Sequence, residues 1–215
     1  MQLVDLSHPV REGMTTYPGL PGPELDDFLS FEASRGHYDQ GTEFQIRRLS
    51  MVTSTGTYLD APRHRVREGA DVSQVALGRC AMLPAVVVDS RGAVEIGPEH
   101  VRGDVLGCAV LFLTGWDRHW GTDEYGGHDH PHLAPETADL LVRGGAALAG
   151  IDSVNVDGTR TGARPIHTTL LRAGVLIVEN LTNLAAVPAR GARFTAAPLA
   201  FEGLPSFPVR AFATV

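Results

Sequence analysis

The stretch STGTYLDAPRH, from Ser54 to His64, is the part of the sequence on which the assignment of the fold depends. It places a glycine, an aspartate, a proline and a histidine within a few residues, with two threonines beside them. Glycine and proline interrupt regular structure, so we predict a functional loop here and not a strand or a helix. Asp60 and His64 alone are too few ligands for a metal site. Any metal site at this loop therefore requires side chains from other parts of the chain.

The size and composition predict one globular domain that spans residues 1–215. The chain has 215 residues, of which 43% are hydrophobic and 20% are charged, and these values are close to those of average soluble domains. The net charge of −7 argues against a nucleic-acid partner, because binding to phosphates needs a basic surface.

The sequence also predicts a cytoplasmic protein that does not enter a membrane. The first residues, MQLVDLSHPV, lack the basic segment and apolar run of a signal peptide, and no apolar stretch is long enough to cross a bilayer. Cys80 and Cys108 lie within the apolar runs RCAMLPAVVV and LGCAVLFLTG. We therefore expect two buried free thiols, in preference to a disulfide or a pair of metal ligands.

Apolar runs separated by turn residues predict an α/β fold. Strands are predicted in FQIRRLSMV (from Phe44), MLPAVVVDS (from Met82), CAVLFLTG (from Cys108), AALAGID (from Ala146), VLIVEN (from Val175), RFTAAPLAF (from Arg193) and FPVRAFATV (from Phe207). The buried runs do not alternate cleanly, as expected for strands covered on both faces. Helices are predicted in APETADLLVRGG and IHTTLLRAG. The pattern indicates a mixed, strand-rich sheet flanked by helices, and it does not define the strand order.

Two further polar residues occupy positions that are typical of an active site. His167 lies at the start of the second predicted helix, and Glu179 directly follows the buried run VLIV. A side chain at the end of a buried strand is held firmly, while the adjoining loop opens to solvent. For Glu179 taken alone, a partly buried carboxylate held by backbone donors or an arginine is the simpler interpretation.

The chain resembles the cyclase-like metal-dependent hydrolases, a family that includes bacterial kynurenine formamidase (arylformamidase) and isatin hydrolase. The family signature, His-x-Gly-Thr-His-x-Asp-x-Pro-x-His, aligns with residues 54–64. The segments DLSHPVREGMTTYPG, LFLTGW, LAGIDS, IHTTLLRAGVLIVENLTNL and FPVRAFA also resemble family segments, in the same order. The resemblance covers nearly the whole chain, and it implies a single cyclase-like domain of the swivelling β/β/α type.

The resemblance also implies roles for individual residues. Asp60 matches an aspartate that bridges two metal ions, and His64 matches the histidine that donates and accepts protons. His167 and Glu179 match the later metal ligands. Tyr17, which precedes a Pro-Gly pair, matches an aromatic residue that lines the substrate pocket. Family members act on small molecules and form homodimers or larger homo-oligomers.

The first two ligands of the family signature are replaced here by Ser54 and Tyr58. Imidazole binds zinc and related metals well. A serine hydroxyl is a weak ligand, and tyrosine binds well only as phenolate, with an unperturbed pKa of about 10. The replacement therefore predicts the loss of the first metal site. Asp60, His167 and Glu179 remain as ligands for at most one divalent ion, such as zinc or manganese, and a metal-free site is the alternative.

Three functions are compatible with these residues. In the first, one residual metal activates water against an amide, lactam or lactone carbonyl of an aromatic small molecule, with His64 as acid and base. In the second, a metal-independent cyclase, lyase or isomerase of natural-product biosynthesis, of the polyketide type, uses Tyr58, Asp60 and His64. In the third, the protein is an inactive family member that binds a ligand. Tyr17 and Ser54 are the predicted substrate-binding residues, and the retained acid/base groups favour an enzyme.

The segment GGHDHPHL contains a second cluster of histidines, His128, His130 and His132, around Asp129. Alternating histidines can bind a metal. We nevertheless predict an exposed polar loop between a Gly-Gly turn and the first predicted helix. The alternative is that one of these histidines reaches the pocket.

Overall fold

The computed structural model describes residues 2–215. Its strands are β1 (Leu3–Asp5), β2 (Glu24–Leu29), β3 (Ile46–Ser50), β4 (Tyr58–Asp60), β5 (Leu83–Asp89), β6 (Glu95–Ile96), β7 (Ala109–Leu113), β8 (His132–Leu133), β9 (Leu148–Ile151), β10 (Leu176–Glu179), β11 (Arg193–Thr195), β12 (Ser206–Pro208) and β13 (Phe212–Thr214). Its α-helices are α1 (Phe31–Ser34), α2 (Pro135–Arg143) and α3 (Pro165–Arg172). The predicted strands and both predicted helices are present, and the last predicted strand is divided into two.

One mixed sheet contains nine strands in the order β1-β13-β11-β5-β7-β9-β10-β4-β12. The four strands β5, β7, β9 and β10 are parallel neighbours, and the flanking pairs are antiparallel. The connections from β7 to β9 and from β9 to β10 contain α2 and α3, as parallel strands require a crossover. The predicted α/β class with a mixed sheet flanked by helices is confirmed.

Alternate residues of the central strands pack on opposite faces of the sheet. In β7, Ala109, Leu111 and Leu113 join one apolar core, whereas Val110 and Phe112 join another. The second core is completed by the apolar faces of α2 and α3, so the helices cover this face of the sheet. Both faces are therefore buried, which explains why the central runs are apolar throughout.

Residues 58–60 form strand β4, so the prediction that residues 54–64 contain no strand was wrong. β4 pairs antiparallel with β10 on one side and with β12 on the other. These partners come from distant parts of the chain, and their pairing outweighs the local turn signals because it satisfies buried backbone groups. The strand ends at a single 3₁₀ turn, Pro62–His64, where proline occupies the first position.

Strands β2 and β3 form a separate antiparallel ribbon outside the main sheet. β3 comes from the predicted strand FQIRRLSMV, but all its residues are exposed. Phe28 on β2 is 66% exposed and Leu49 on β3 is 51% exposed. Asp27 and Arg47 pair across the ribbon at 3.1 Å. The ribbon therefore carries apolar side chains on a surface that the rest of the chain does not cover.

Two further predictions concern membranes and cysteines. Among residues 2–215, no helix combines the length and apolar character that a membrane span needs. Cys80 and Cys108 are buried free cysteines, as predicted.

We expect Gly150→Ala to destabilise the fold. A Cβ atom at this position of β9 would lie 2.7 Å from Cδ2 of Leu111 and 2.8 Å from Cδ1 of Leu181, and both leucines are fully buried. Overpacking of this kind lowers the free energy of unfolding by about 1–3 kcal/mol, which urea denaturation would measure. The control is Gly78→Ala, where a Cβ atom meets nothing within 4 Å. Equal effects of the two substitutions would contradict the packing of β9 described above.

Candidate active site

Strand β4 presents two polar side chains to the sheet face that α3 covers. Side chains alternate along a strand, and Leu59 points into the core on the opposite face. Tyr58 and Asp60 therefore lie on the α3 face, together with Ile177, the β10 partner of Asp60. Glu179 is the β10 partner of Tyr58 and ends that strand on the same face. The register of β4 and β10 therefore places Tyr58 and Asp60 next to Glu179.

His167 lies in the first turn of α3, where Asp157 orients it. Nδ1 of His167 donates a 2.6 Å hydrogen bond to Oδ2 of Asp157. The same carboxylate accepts the backbone N–H groups of Ile166 (2.8 Å) and His167 (3.0 Å), which a helix N-terminus otherwise leaves unpaired. Because Nδ1 carries this proton, the ring presents Nε2 to the centre of the site, as metal-binding histidines do.

Four predicted site residues meet around Asp60. Nε2 of His167 lies 3.6 Å from Oδ2 of Asp60 and 3.5 Å from Oε1 of Glu179. Nδ1 of His64 lies 3.4 Å from Oδ1 of Asp60. The His64 side chain is 33% exposed, whereas the other three are buried. The site therefore has a buried floor and one titratable side chain that reaches solvent.

Asp60 is a buried carboxylate without a hydrogen-bond donor among residues 2–215. Both of its oxygens lack a partner, although the residue is 0% exposed. The nearest histidine nitrogens lie at 3.4 Å and 3.6 Å and make no hydrogen bond to it. A divalent cation would supply the close positive charge that a buried carboxylate needs. Ligand atoms of Asp60, His64 and His167 lie within 4.8 Å of one another, close enough for one ion to contact them with small adjustments. The residues present therefore fit a divalent metal.

Both oxygens of Glu179 accept hydrogen bonds. Oε1 accepts the backbone N–H of Val156 at 2.7 Å, and Oε2 accepts the phenol O–H of Tyr58. Burial raises the pKa of the Glu179 carboxyl. Burial, together with the charge of Glu179, raises the pKa of the Tyr58 phenol well above its usual value. Tyr58 is therefore a neutral donor, and its O–H points at Glu179 and not at a position open to substrate.

The surroundings of the two site histidines shift their pKa values in opposite directions. Burial lowers the pKa of His64, and the opposing effect of Asp60 is smaller, so the ring is mainly neutral at pH 7. Burial also disfavours the charged form of His167, but the neighbouring carboxylates outweigh it and raise its pKa. The ring centroids are 5.6 Å apart. His64 is therefore the histidine that can accept a proton from a group in solvent.

The two predicted substrate-binding residues lie at the edges of this cluster. Oγ of Ser54 is 3.2 Å from Oγ of Ser206 on β12. Tyr17 is half-buried, and its hydroxyl accepts a 3.5 Å hydrogen bond from Nη2 of Arg164, the residue before α3. Ser54 therefore borders the β12 side of the site, and Tyr17 borders the N-terminus of the helix that carries His167.

A cavity of about 710 Å³ lies behind the signature loop, between the N-terminal loop and residues 120–126. Thr16 in its wall accepts the N–H of Gly56 at 2.8 Å. Tyr125, also in its wall, donates to Oδ1 of Asn180 at 2.8 Å. The side chains of Asp60, His64, His167 and Glu179 do not line this cavity. We therefore assign the chemistry to the carboxylate–histidine cluster, because titratable groups converge there and not in the cavity.

The histidine loop is exposed only in part: the prediction of an exposed loop holds for His128 and Asp129 but not for His130. His130 is fully buried, with Nδ1 3.2 Å from Oγ of Ser153 and Nε2 3.2 Å from Oγ1 of Thr159. His128 also contacts Oγ1 of Thr159, at 3.0 Å. Burial lowers the pKa of His130 to about 4, so the ring is neutral. The hydroxyl groups of Ser153 and Thr159 allow the polar ring of His130 to be buried. Through these contacts, the loop supports the segment that carries Asp157.

The sequence interpretation missed two residues that organise the site, Asp157 and Asn180. Asn180 has a left-handed backbone with φ of 58°, a conformation that asparagine tolerates better than most residues. Its Nδ2 donates to the Gly56 carbonyl at 2.8 Å, and its own carbonyl accepts the Thr57 hydroxyl at 2.6 Å. The signals available were the Asp-Gly pair at position 157 and the asparagine after Glu179, both typical of turns.

Comparisons with known proteins agree with the geometry. Residues 4–158 match the model of a family described as "Putative cyclase". The chain is 30% identical over 215 residues to the kynurenine formamidase of Salinibacter ruber (strain DSM 13855 / M31), covering 98% of this chain and 96% of the relative. A solved structure described as a potential metal-dependent hydrolase with cyclase activity has a TM-score of 0.80 at 25% identity, covering 99% and 96%. Isatin hydrolase A from Labrenzia aggregata, bound to benzyl benzoate, shares the fold, with a TM-score of 0.81 at 24% identity, covering 100% and 93%.

Removal of the Asp157 carboxylate is expected to loosen the site and lower stability. Asp157→Ala leaves the ring N–H of His167 and two backbone N–H groups without their acceptor, so the free energy of unfolding should fall by roughly 3 kcal/mol or more. Guanidinium denaturation with a chelator present measures this. The control is Asp139→Ala on the exposed face of α2, with an expected change within about 0.5 kcal/mol. A loss at position 157 no greater than the control would show that Asp157 does not hold α3.

Proposed function

Because the chain belongs to the cyclase family and is an amidohydrolase-type enzyme, we propose that it hydrolyses the carbonyl–nitrogen bond of an aromatic small molecule. The related kynurenine formamidase of Salinibacter ruber makes an N-formylated arylamine the first substrate class to test. An aryl lactam contains the same bond and is the second class. An aryl lactone, whose carbonyl is bonded to oxygen in place of nitrogen, is the third.

The observation that carries this proposal is the unpartnered carboxylate of Asp60 between two histidines. Asp60 faces Nδ1 of His64 on one side and Nε2 of His167 on the other, at 3.4 Å and 3.6 Å. Hydrolysis needs a group that takes a proton from water and a polarising centre near the carbonyl. His64, which reaches solvent, provides the proton acceptor. The buried carboxylates are suited to hold a cation as the polarising centre.

We assign the proton transfers to His64. Its ring is mainly neutral and partly exposed, so it can accept a proton from the attacking water as the oxygen adds to the substrate carbonyl. The His64 ring then returns that proton to the nitrogen of the leaving group when the carbonyl–nitrogen bond breaks. Asp60, at 3.4 Å from Nδ1, stabilises the imidazolium between these two steps. Tyr17 and Ser54 border the space where the substrate would lie.

Asp60 and His167 would hold a divalent cation, and Glu179 is the third ligand that we propose. A bound zinc or manganese ion would polarise the carbonyl and increase the acidity of water. Glu179 and His64 compete for the third position, since the grouping within 4.8 Å contains His64, while Oε1 of Glu179 lies 3.5 Å from His167. We favour Glu179, because it is a buried carboxylate with lone pairs to spare and leaves His64 free to move protons.

A metal-independent lyase, cyclase or isomerase that uses Tyr58 as its acid is less well supported. Such a reaction needs a phenol that can reach the substrate. The phenol of Tyr58 is 6% exposed and donates to Glu179. We therefore propose hydrolysis, with Tyr58 outside the set of groups that exchange protons with the substrate.

We also propose a homodimer or larger homo-oligomer in the cytoplasm. Phe28 and Leu49 on the β2–β3 ribbon are exposed apolar side chains, and such surfaces are frequently covered by a partner. The buried free thiols of Cys80 and Cys108 are typical of a reducing compartment. Light scattering of the purified protein would test the oligomer, which a monomeric mass would exclude.

His64→Asn is expected to lower kcat/KM for an N-formylated arylamine by at least about 100-fold, because the variant lacks the proton acceptor. Release of the free arylamine, followed by absorbance, measures the rate, with isatin as the lactam to compare. The control is His100→Asn, at a half-buried histidine beside Glu99, which should retain the wild-type rate within about twofold. Hydrolysis that survives in His64→Asn would remove the assignment, and a wild-type protein inactive on all three carbonyl classes would remove the proposed reaction.

The third metal ligand can be identified by comparing two variants. Glu179→Gln should weaken the binding of Zn²⁺ by roughly tenfold or more, because a carboxylate ligand is replaced by an amide. His64→Asn should weaken it by less than about threefold. Isothermal titration calorimetry at constant pH measures both affinities. The reverse order of effects would assign the third position to His64 and remove its role in proton transfer.

A further inference from the structure

The buried floor of the site contains three carboxyl groups around a single histidine. Asp60, Asp157 and Glu179 all surround the His167 ring, and each is at most 1% exposed. Clustered carboxylates repel one another unless cations or hydrogen-bond donors compensate them. Asp157 is compensated by the ring N–H and two backbone N–H groups. The compensation of the other two carboxylates therefore determines how many ions the site accepts.

Glu179 is compensated by groups of the chain itself. Oε2 accepts the phenol O–H of Tyr58, and Oε1 accepts the N–H of Val156 at 2.7 Å. Tyr58 is held opposite Glu179 by the pairing of β4 with β10, and it is 6% exposed. A phenol in this position directs the positive end of its O–H dipole at the carboxylate. Asp60 has no such donor among the described residues.

The groups next to Tyr58 offer nothing to a second ion. Ser54 contacts Oγ of Ser206 at 3.2 Å, and Ser206 contacts Oγ1 of Thr53 at 2.9 Å. These three hydroxyls bond to one another, and neutral hydroxyls are weak ligands for zinc and related metals. The oxygen of Asp60 that faces away from His167 lies 3.4 Å from Nδ1 of His64. The imidazole on this side of Asp60 is the group to which the proton transfers are assigned.

We propose that Tyr58 takes the place of a metal ion, so that the chain binds one divalent cation and uses the phenol as a positioning residue for Glu179. This inference rests on the proposed function only in placing the cation at Asp60 and His167. The hydrogen bond from Tyr58 fixes the orientation of Glu179 next to His167. The single cation then meets a carboxylate that is already in place.

The test is the number of Zn²⁺ ions bound per chain, measured by equilibrium dialysis with metal analysis and by calorimetry on the intact protein. The wild type should bind one ion. Tyr58→Phe should also bind one, but roughly 10–100-fold more weakly, because Glu179 loses the bond that orients it. Ser54→His combined with Tyr58→His should bind two ions, because imidazoles replace the phenol and the hydroxyl.

The control is Tyr38→Phe, at a tyrosine that is 58% exposed, which should match the wild type in number and affinity. Melting curves with a chelator show whether each variant is folded. If the double variant does not fold, Tyr58→His alone serves, with tighter binding than Tyr58→Phe as the expected result. The absorbance spectrum of bound Co²⁺ reports the geometry of its ligands. A spectrum that differs between the wild type and Tyr58→Phe indicates that the orientation of Glu179 has changed. A general loss of stability would lower the melting temperature and leave the spectrum of the bound ion unchanged.

Two ions, or none, on the wild-type chain would overturn the inference. So would a Tyr58→Phe affinity within about twofold of the wild type, since Glu179 would then not depend on the phenol. These measurements do not use the catalytic rate. One bound ion with no hydrolysis would leave the inference in place and remove the proposed reaction, and hydrolysis with two bound ions would do the reverse.

Discussion

The burial of the Asp60 carboxylate without a protein donor is the constraint on which the site depends. Such a charge is tolerated only where cationic or polar groups lie close to it. The fold places His167 on a helix packed over β4 and His64 four residues along the chain. Each histidine faces one oxygen of the carboxylate. A single aspartate at the end of a short strand thus lies between the two histidines that give the site its chemistry.

The loop between β9 and α3 is the second device that the site requires. Its backbone donates to Glu179 through Val156, and its Asp157 receives the N-terminus of α3 and the ring of His167. A buried loop must find partners for its polar groups. His130 and its hydroxyl neighbours provide part of this support. The same loop therefore contacts both the N-terminus of α3 and the glutamate at the end of β10, and it fixes their relative positions.

The sequence predicted those features that are encoded locally or by a short motif. Apolar runs identified the central strands, and the positions of His167 and Glu179 at a helix start and a strand end are as predicted. The strand at Tyr58–Asp60 was missed, because its partners lie more than a hundred residues away. Asp157 was missed for a different reason: the Asp-Gly pair indicates only a turn, and the sequence does not show that the carboxylate receives the N–H groups of the helix that follows. Pairings over long distances leave no periodic pattern to recognise.

The pairing of β4 with β12 has a consequence for synthesis on the ribosome. Residues 206–208 hold the outer edge of the strand that carries Asp60, and β1 joins the sheet through β13. Residues 206–214 are synthesised well after β1 and β4, so these two strands cannot complete their pairing until that segment has emerged. In a nascent chain, the strand that carries Asp60 therefore lacks one of its two neighbours until residues 206–208 are available.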